Sequence, residues 1–193
     1  YTPVSGLPSL KEAVVKKFKR DNRLNYETNE VIIGVGGKQC IFNFFLALLN
    51  PDDEVIVPTP YWVSYTDIVE LTGASTVLVH CGIDQSFKMT AYQLEKSISK
   101  KTKIVILNSP SNPTGSVYSP SELKEIANIL IKYPDIYVMT DDIYEHIRLD
   151  EQPFYNIVMV EPKLKNRCII INGVSKAYSM TGWRIGFAAG PIL

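Results

Sequence analysis

Seven short apolar runs, most of them β-branched, constrain this chain more than any other feature. They are Val31–Val35, Glu54–Val57, Thr76–Val79, Ile104–Asn108, Ile136–Thr140, Cys168–Asn172 and Ile185–Ala188. Helical periodicity appears before the first, at 9–22, and between several of the others, at 38–49, 61–71, 91–98 and 120–133. Two strands joined by a helix pair in parallel, and a parallel sheet needs helices over both faces. The expectation is an α/β chain with a mostly parallel seven-stranded sheet flanked by helices. No repeat, low-complexity tract or linker interrupts residues 1–193, so they read as one domain.

Two local readings go with this. Val31–Val35, apolar throughout, reads as a buried strand. In the 9–22 helix, Leu10, Ala13, Val14 and Phe18 share a face, while Lys16, Lys17, Lys19 and Arg20 lie mostly off it. That basic cluster reads as a solvated face.

The chain has 193 residues, 46% of them hydrophobic, which suffices for a sizeable core. The formal net charge is zero, so nothing electrostatic favours nucleic acid or an anionic membrane as partner. The longest apolar run, Cys40 to Leu49, contains Asn43 and is too short to span a bilayer. Cys40, Cys81 and Cys168 are odd in number and scattered, which points to a reducing cytoplasm rather than a disulfide framework. The run Asp141 to His146 carries metal-ligating residue types, but no metal is expected there. The chain starts at Tyr1 without an initiator methionine and stops at Leu193 straight after a strand, so it reads as a piece of a longer protein.

In a sheet of this kind ligands bind beyond the carboxyl ends of the strands. Four strand ends deliver distinctive residues to that rim. Gly36-Gly37-Lys38 joins a strand to a helix, where free backbone N–H groups and the helix dipole favour an anion; a plain tight turn has the same composition. Asn112, in Asn108–Gly115, is an amide donor in a rigid loop, and its bond to Pro113 is a plausible cis bond; ordinary turns use the same residues. Asp141 ends a strand, with Tyr144 one helical turn on; such a pair can meet a protonated ring nitrogen and a neighbouring phenolic oxygen, or Asp141 can be a helix N-cap. Lys176 lies among small residues, eight before Arg184, which suits a Schiff base with an aldehyde cofactor and a planar clamp on its phosphate. Trp62, in Tyr61–Tyr65, can stack on a flat ring or pack in the core.

Together these residues resemble the class I pyridoxal-phosphate-dependent aminotransferases, most closely the bacterial aspartate aminotransferases. Gly173 to Gly186 matches the cofactor-attachment signature, Asn112–Gly115 the asparagine loop, and Asp141 with Tyr144 the pyridine-binding pair. Gly36-Gly37-Lys38 matches the phosphate loop and Pro60–Tyr65 the stacking segment. The resemblance implies the large domain of the type I fold, with the N-terminal arm and the C-terminal small domain absent from this chain. It implies that Lys176 forms the internal aldimine with pyridoxal 5′-phosphate and shuttles the substrate proton. Asp141 would keep the ring nitrogen protonated, Tyr144 and Asn112 would bond the phenolic oxygen, and Trp62 would stack. Gly36, Gly37, Lys38 and Arg184 would surround the phosphate. Lys38 and Asn112, with Trp62, would meet substrate, and Tyr1 would reach the phosphate of a neighbouring subunit in a homodimer. Many members carry a hydroxyl where this chain has Gly173, leaving either Ser175 as substitute or a phosphate with one donor fewer. The family's arginine for the substrate α-carboxylate belongs to the region this chain lacks.

The implied reaction passes an amino group from L-aspartate to 2-oxoglutarate. Aromatic or alanine aminotransferases, lyases of the same fold and a non-catalytic, truncated cofactor-binding domain are the alternatives.

Overall fold

A computed structural model, which describes residues 1–149 and 152–192, turns each apolar run into a strand. The strands are β1 (Val31–Val35), β2 (Glu54–Thr59), β3 (Ser75–His80), β4 (Thr102–Asn108), β5 (Tyr137–Asp141), β6 (Cys168–Gly173) and β7 (Ile185–Ala189). The helices are α1 (Pro8–Lys17), α2 (Gly37–Leu48), α3 (Ser64–Leu71), α4 (Ala91–Ser97), α5 (Pro120–Ile131) and the single turn α6 (Ile157–Val160). The strands form one sheet in the order β1-β7-β6-β5-β4-β2-β3. Only β7 runs against its neighbours, so β1 points the same way as β6 and the parallel strands.

Each face of the sheet carries its own core. Along β4 the side chains alternate: Ile104 and Ile106 pack with Ile41 and Phe45 of α2 and Tyr65 and Val69 of α3. Val105 and Leu107 pack with Phe18, Leu94 of α4 and Ile126 and Leu130 of α5. Burial on both faces is what makes the central strands continuous apolar runs rather than alternating ones.

Three expectations change. β1 is an edge strand, paired only with β7, and Ile32 and Val35 are exposed, at 37% and 59%. Its apolar sequence therefore does not mean burial. The helix at 61–71 begins only at Ser64, because Tyr61 and Trp62 turn instead towards the core and the cavity described below. The 9–22 helix is α1 continued by a π-helical turn, Phe18–Asn22, and ended by Arg23 in the left-handed region (φ 57°). Val14 and Phe18 are buried as expected, but Ala13 is exposed. Lys17 is not on a solvated face: its side chain is 14% exposed and ion-paired with buried Glu145.

Candidate active site

A cavity of about 180 Å³ opens at the carboxyl ends of β1, β4, β5 and β6. Nine of the residues singled out above line it: Gly37, Lys38, Trp62, Asn112, Asp141, Tyr144, Ser175, Lys176 and Arg184. Gly36 stands behind Gly37, and Tyr1 is elsewhere, wholly exposed.

The end of the cavity beside β1 and β7 is built largely from backbone. Gly36 has φ +79°, a left-handed conformation that disfavours any side chain. A Cβ there would lie 2.2 Å from Arg184 Nη2, so the guanidinium occupies the place a side chain would fill. Gly186 of β7 is tighter still, since its Cβ would be 2.1 Å from the Gly37 nitrogen. The two glycines let the start of α2 close on the sheet, and α2 has no side-chain N-cap to satisfy its first N–H groups. Arg184 is itself steadied by donating from Nη1 to Thr181 O at 2.9 Å. A side chain at position 173 would meet Ile185 O at 2.9 Å and Gly186 Cα at 3.1 Å, which gives a steric reason for Gly173 in this chain. Ser175 lies in the cavity wall and is buried.

At the other end Asp141 is the last residue of β5 and 5% exposed. Its Oδ2 accepts from the Tyr65 hydroxyl at 2.7 Å and its Oδ1 from the Ile143 N–H at 3.3 Å. Burial pushes the Asp141 carboxyl up from its ordinary value, and these two hydrogen bonds pull it back. The second bond closes a turn and not a helix, since no helix starts at the end of β5, so Asp141 is not a helix N-cap. Asn108, the last residue of β4, donates from Nδ2 to Asp141 O at 2.8 Å and accepts the Asn112 N–H at 2.8 Å. One side chain thus ties the asparagine loop to the β5 end, and the Asn112–Pro113 bond is cis, as are Thr59–Pro60 and Ser109–Pro110.

Lys176 Nζ lies 5.8 Å from the centre of the Tyr144 ring, and Lys38 Nζ lies 4.9 Å from that of Trp62. Trp62 meets Tyr65 edge-on, centroids 5.4 Å apart. Lys38, Lys176 and Arg184 set three cations in the cavity wall against one carboxylate, Asp141. That donor set fits a flat ligand with a phosphate at one end and a protonated ring nitrogen at the other, the description of pyridoxal 5′-phosphate.

Tyr65, Asn108 and Thr181 also border the cavity and were not singled out from sequence. The signal for Asn108 was a polar residue closing an apolar strand. Tyr65 had none of its own, because its spacing in α3 is that of a core residue.

A mostly parallel sheet with a polar cavity at the carboxyl ends of its strands is the architecture of an α/β enzyme. The family profile for class I and II aminotransferases matches residues 1–191, and the chain belongs to that family. A protein of Rickettsia typhi described as a "Probable aspartate/prephenate aminotransferase" is 55% identical over 98% of this chain and 48% of its own length. An aspartate/prephenate aminotransferase of Nitrosomonas europaea is 52% identical over 99% of this chain and 48% of its own. The crystal structure of the aspartate aminotransferase from Rhizobium meliloti superposes with a TM-score of 0.98 at 48% identity, covering 99% of this chain and 48% of that one. The chain thus spans about half the length of the relatives it matches.

Proposed function

We propose that residues 1–193 are the large, cofactor-binding domain of an aminotransferase that passes an amino group from L-aspartate to 2-oxoglutarate with pyridoxal 5′-phosphate. Convergence of Lys176, Asp141, Tyr144, Asn112 and Arg184 on one cavity carries the reading. When bound, the cofactor supplies an aldehyde that captures amines and a ring that takes up electrons.

The residues divide that work. Lys176 is the amine that anchors the aldehyde and then carries the proton at the substrate Cα. Asp141, braced by Tyr65, holds the ring nitrogen's proton. Tyr144 and Asn112 hydrogen-bond the phenolic oxygen, and Asn112 helps orient the substrate carboxylate. Trp62 stacks on the ring and excludes water from that face. Gly36, Gly37, Ser175 and Arg184 hold the phosphate, while Lys38, beside Trp62, serves either the phosphate or a distal substrate carboxylate. Tyr1 reaches the partner's phosphate in a homodimer, which fits its exposure. A cytoplasmic setting fits three cysteines that are all free and buried. No helix among the described residues is long and apolar enough to cross a membrane.

The names of the relatives support a second amino acceptor, prephenate, alongside 2-oxoglutarate. Half-reaction rates with aspartate, alanine and phenylalanine test the donor, and faster conversion of phenylalanine would overturn aspartate. The cofactor is tested by borohydride reduction with pyridoxal 5′-phosphate and peptide mapping. We expect a pyridoxyl group on Lys176 and none in Lys176→Ala; label on another lysine would refute the assignment.

A further inference from the structure

The turn that follows β5 faces two ways. Asp141 and Tyr144 line the cavity, whereas Asp142 and Glu145 are buried outside it, at 1% and 5% exposure. Asp142 is held by neutral donors: Thr140 Oγ1 at 2.7 Å, Asn156 Nδ2 at 2.7 Å, and its own N–H on Ile171 O at 2.9 Å. Glu145 is held from α1 and the π-helical turn after it. Asn22 Nδ2 donates to Oε2 at 3.0 Å, the Lys17 ammonium lies against Oε1, and that ammonium also donates to Asn22 Oδ1 at 2.7 Å. His146 Nε2 is 3.0 Å from Glu145 Oε1 and 3.5 Å from Asp21 Oδ2. Asp21, Glu145 and His146 have metal-ligand chemistry, but Lys17 already neutralises the buried carboxylate.

Of these two carboxylates Glu145 has the ion pair: Lys17, its side chain 14% exposed, lies against it, whereas the Asp142 side chain accepts only from Thr140 and Asn156. Removing one partner of a buried ion pair strands the other charge, and a stranded carboxylate is pulled towards water. Glu145 directly follows Tyr144 and its N–H closes the turn on Asp142 O at 2.9 Å, so it cannot move outward without carrying Tyr144 along.

We propose that Lys17 is a positioning residue: from the side of the turn remote from the cavity, its ion pair with Glu145 fixes the turn that presents Asp141 and Tyr144. The link from turn to cofactor rests on the function proposed above, but the link from Lys17 to turn does not.

Hydrogen exchange read by mass spectrometry on the cofactor-free chain tests it, followed by titration with pyridoxal 5′-phosphate. In Lys17→Met, exchange in the 143–147 segment should rise by about a hundredfold, the order expected when a buried pair loses one partner. Cofactor affinity should fall by about tenfold as the turn loses its pre-organised geometry. Lys17→Arg should keep both near wild type, and Lys17→Met with Glu145→Gln should restore protection because no charge is left stranded. Val14→Ala, which loosens α1 without touching the carboxylates, is the control for stability alone. The proposal is overturned if Lys17→Met leaves the turn as protected as wild type, or if Val14→Ala exposes it as much. A turn that loosens in Lys17→Met of a chain that never binds pyridoxal 5′-phosphate would sink the cofactor reading and leave this one standing.

Discussion

Asp142 and Asp141 are neighbours with opposite surroundings. Asp141 belongs to the cavity, whereas Asp142 is enclosed on the other side of the β5 end, where burial first, and Glu145 further, push its carboxyl up to about 7 against the pull of Thr140, Asn156 and Lys17. A carboxyl with a raised pKa in the fold keeps its proton there to a higher pH than in the unfolded chain. Its stabilising share is complete below the ordinary value near 3.8 and is lost as pH rises towards 7. By linkage that share is at most roughly 4 kcal/mol. We expect urea unfolding of Asp142→Asn to show a flatter loss of stability between pH 4 and pH 7 than wild type; equal slopes would contradict it. Asparagine can keep the bonds to Thr140 and Asn156, so the comparison isolates the charge. Sequence showed Asp141 and Tyr144 because their spacing fits a ring, but nothing in sequence says that Asp142 and Glu145 face away from it.

Elements in this chain are joined by side chains that cross between them. Arg167, just before β6, sends Nη1 to Tyr133 O at 3.0 Å and to Ile136 O at 2.5 Å, and Nη2 to Leu130 O at 2.7 Å. It thereby satisfies carbonyls at the end of α5 and the approach to β5 at once. Arg167→Met should cost about 2–4 kcal/mol by stranding those acceptors, and Arg167→Lys should recover only part, since one ammonium lacks the planar fork. Chemical denaturation of the two variants decides this; a lysine as stable as wild type would refute the fork argument. The same scale shows where periodicity misleads. It located all seven strands to within one or two residues, because alternation of strand and helix is written in local sequence. It placed Lys17 on a solvated face because a helical wheel records angle around an axis and not what packs against it from 128 positions away. It made β1 a buried strand because apolar composition does not distinguish a central strand from an edge one.

For the whole molecule, a ligand that binds only the folded chain stabilises it by mass action. Pyridoxal 5′-phosphate at a hundred times its dissociation constant should add about 2.7 kcal/mol, and raise the thermal midpoint by roughly 5–10 °C for a chain this long. Inorganic phosphate should give a smaller rise through Gly37 and Arg184, and Lys176→Ala should lose part of the cofactor's effect while keeping that of phosphate. No shift with either ligand would contradict the anion end of the cavity. Most of the cavity was legible because its residues lie at strand ends, where the parallel architecture forces convergence. Tyr65 and Asn108 were not, since each acts on another residue of the site. Tyr1 lies outside the cavity, and the part proposed for it would need a second copy of the chain.

The position of β7 has a consequence in time. β1 pairs only with β7, about 150 residues later in the sequence, and Arg184 and Gly186, which close on the Gly36-Gly37 turn, arrive with that strand. At about 5–20 residues per second a nascent chain would carry β1 as an unpaired ribbon for roughly 8–30 seconds. The Gly36-Gly37 turn is therefore made well before the residues that close on it, and that end of the cavity comes together only once β7 has emerged.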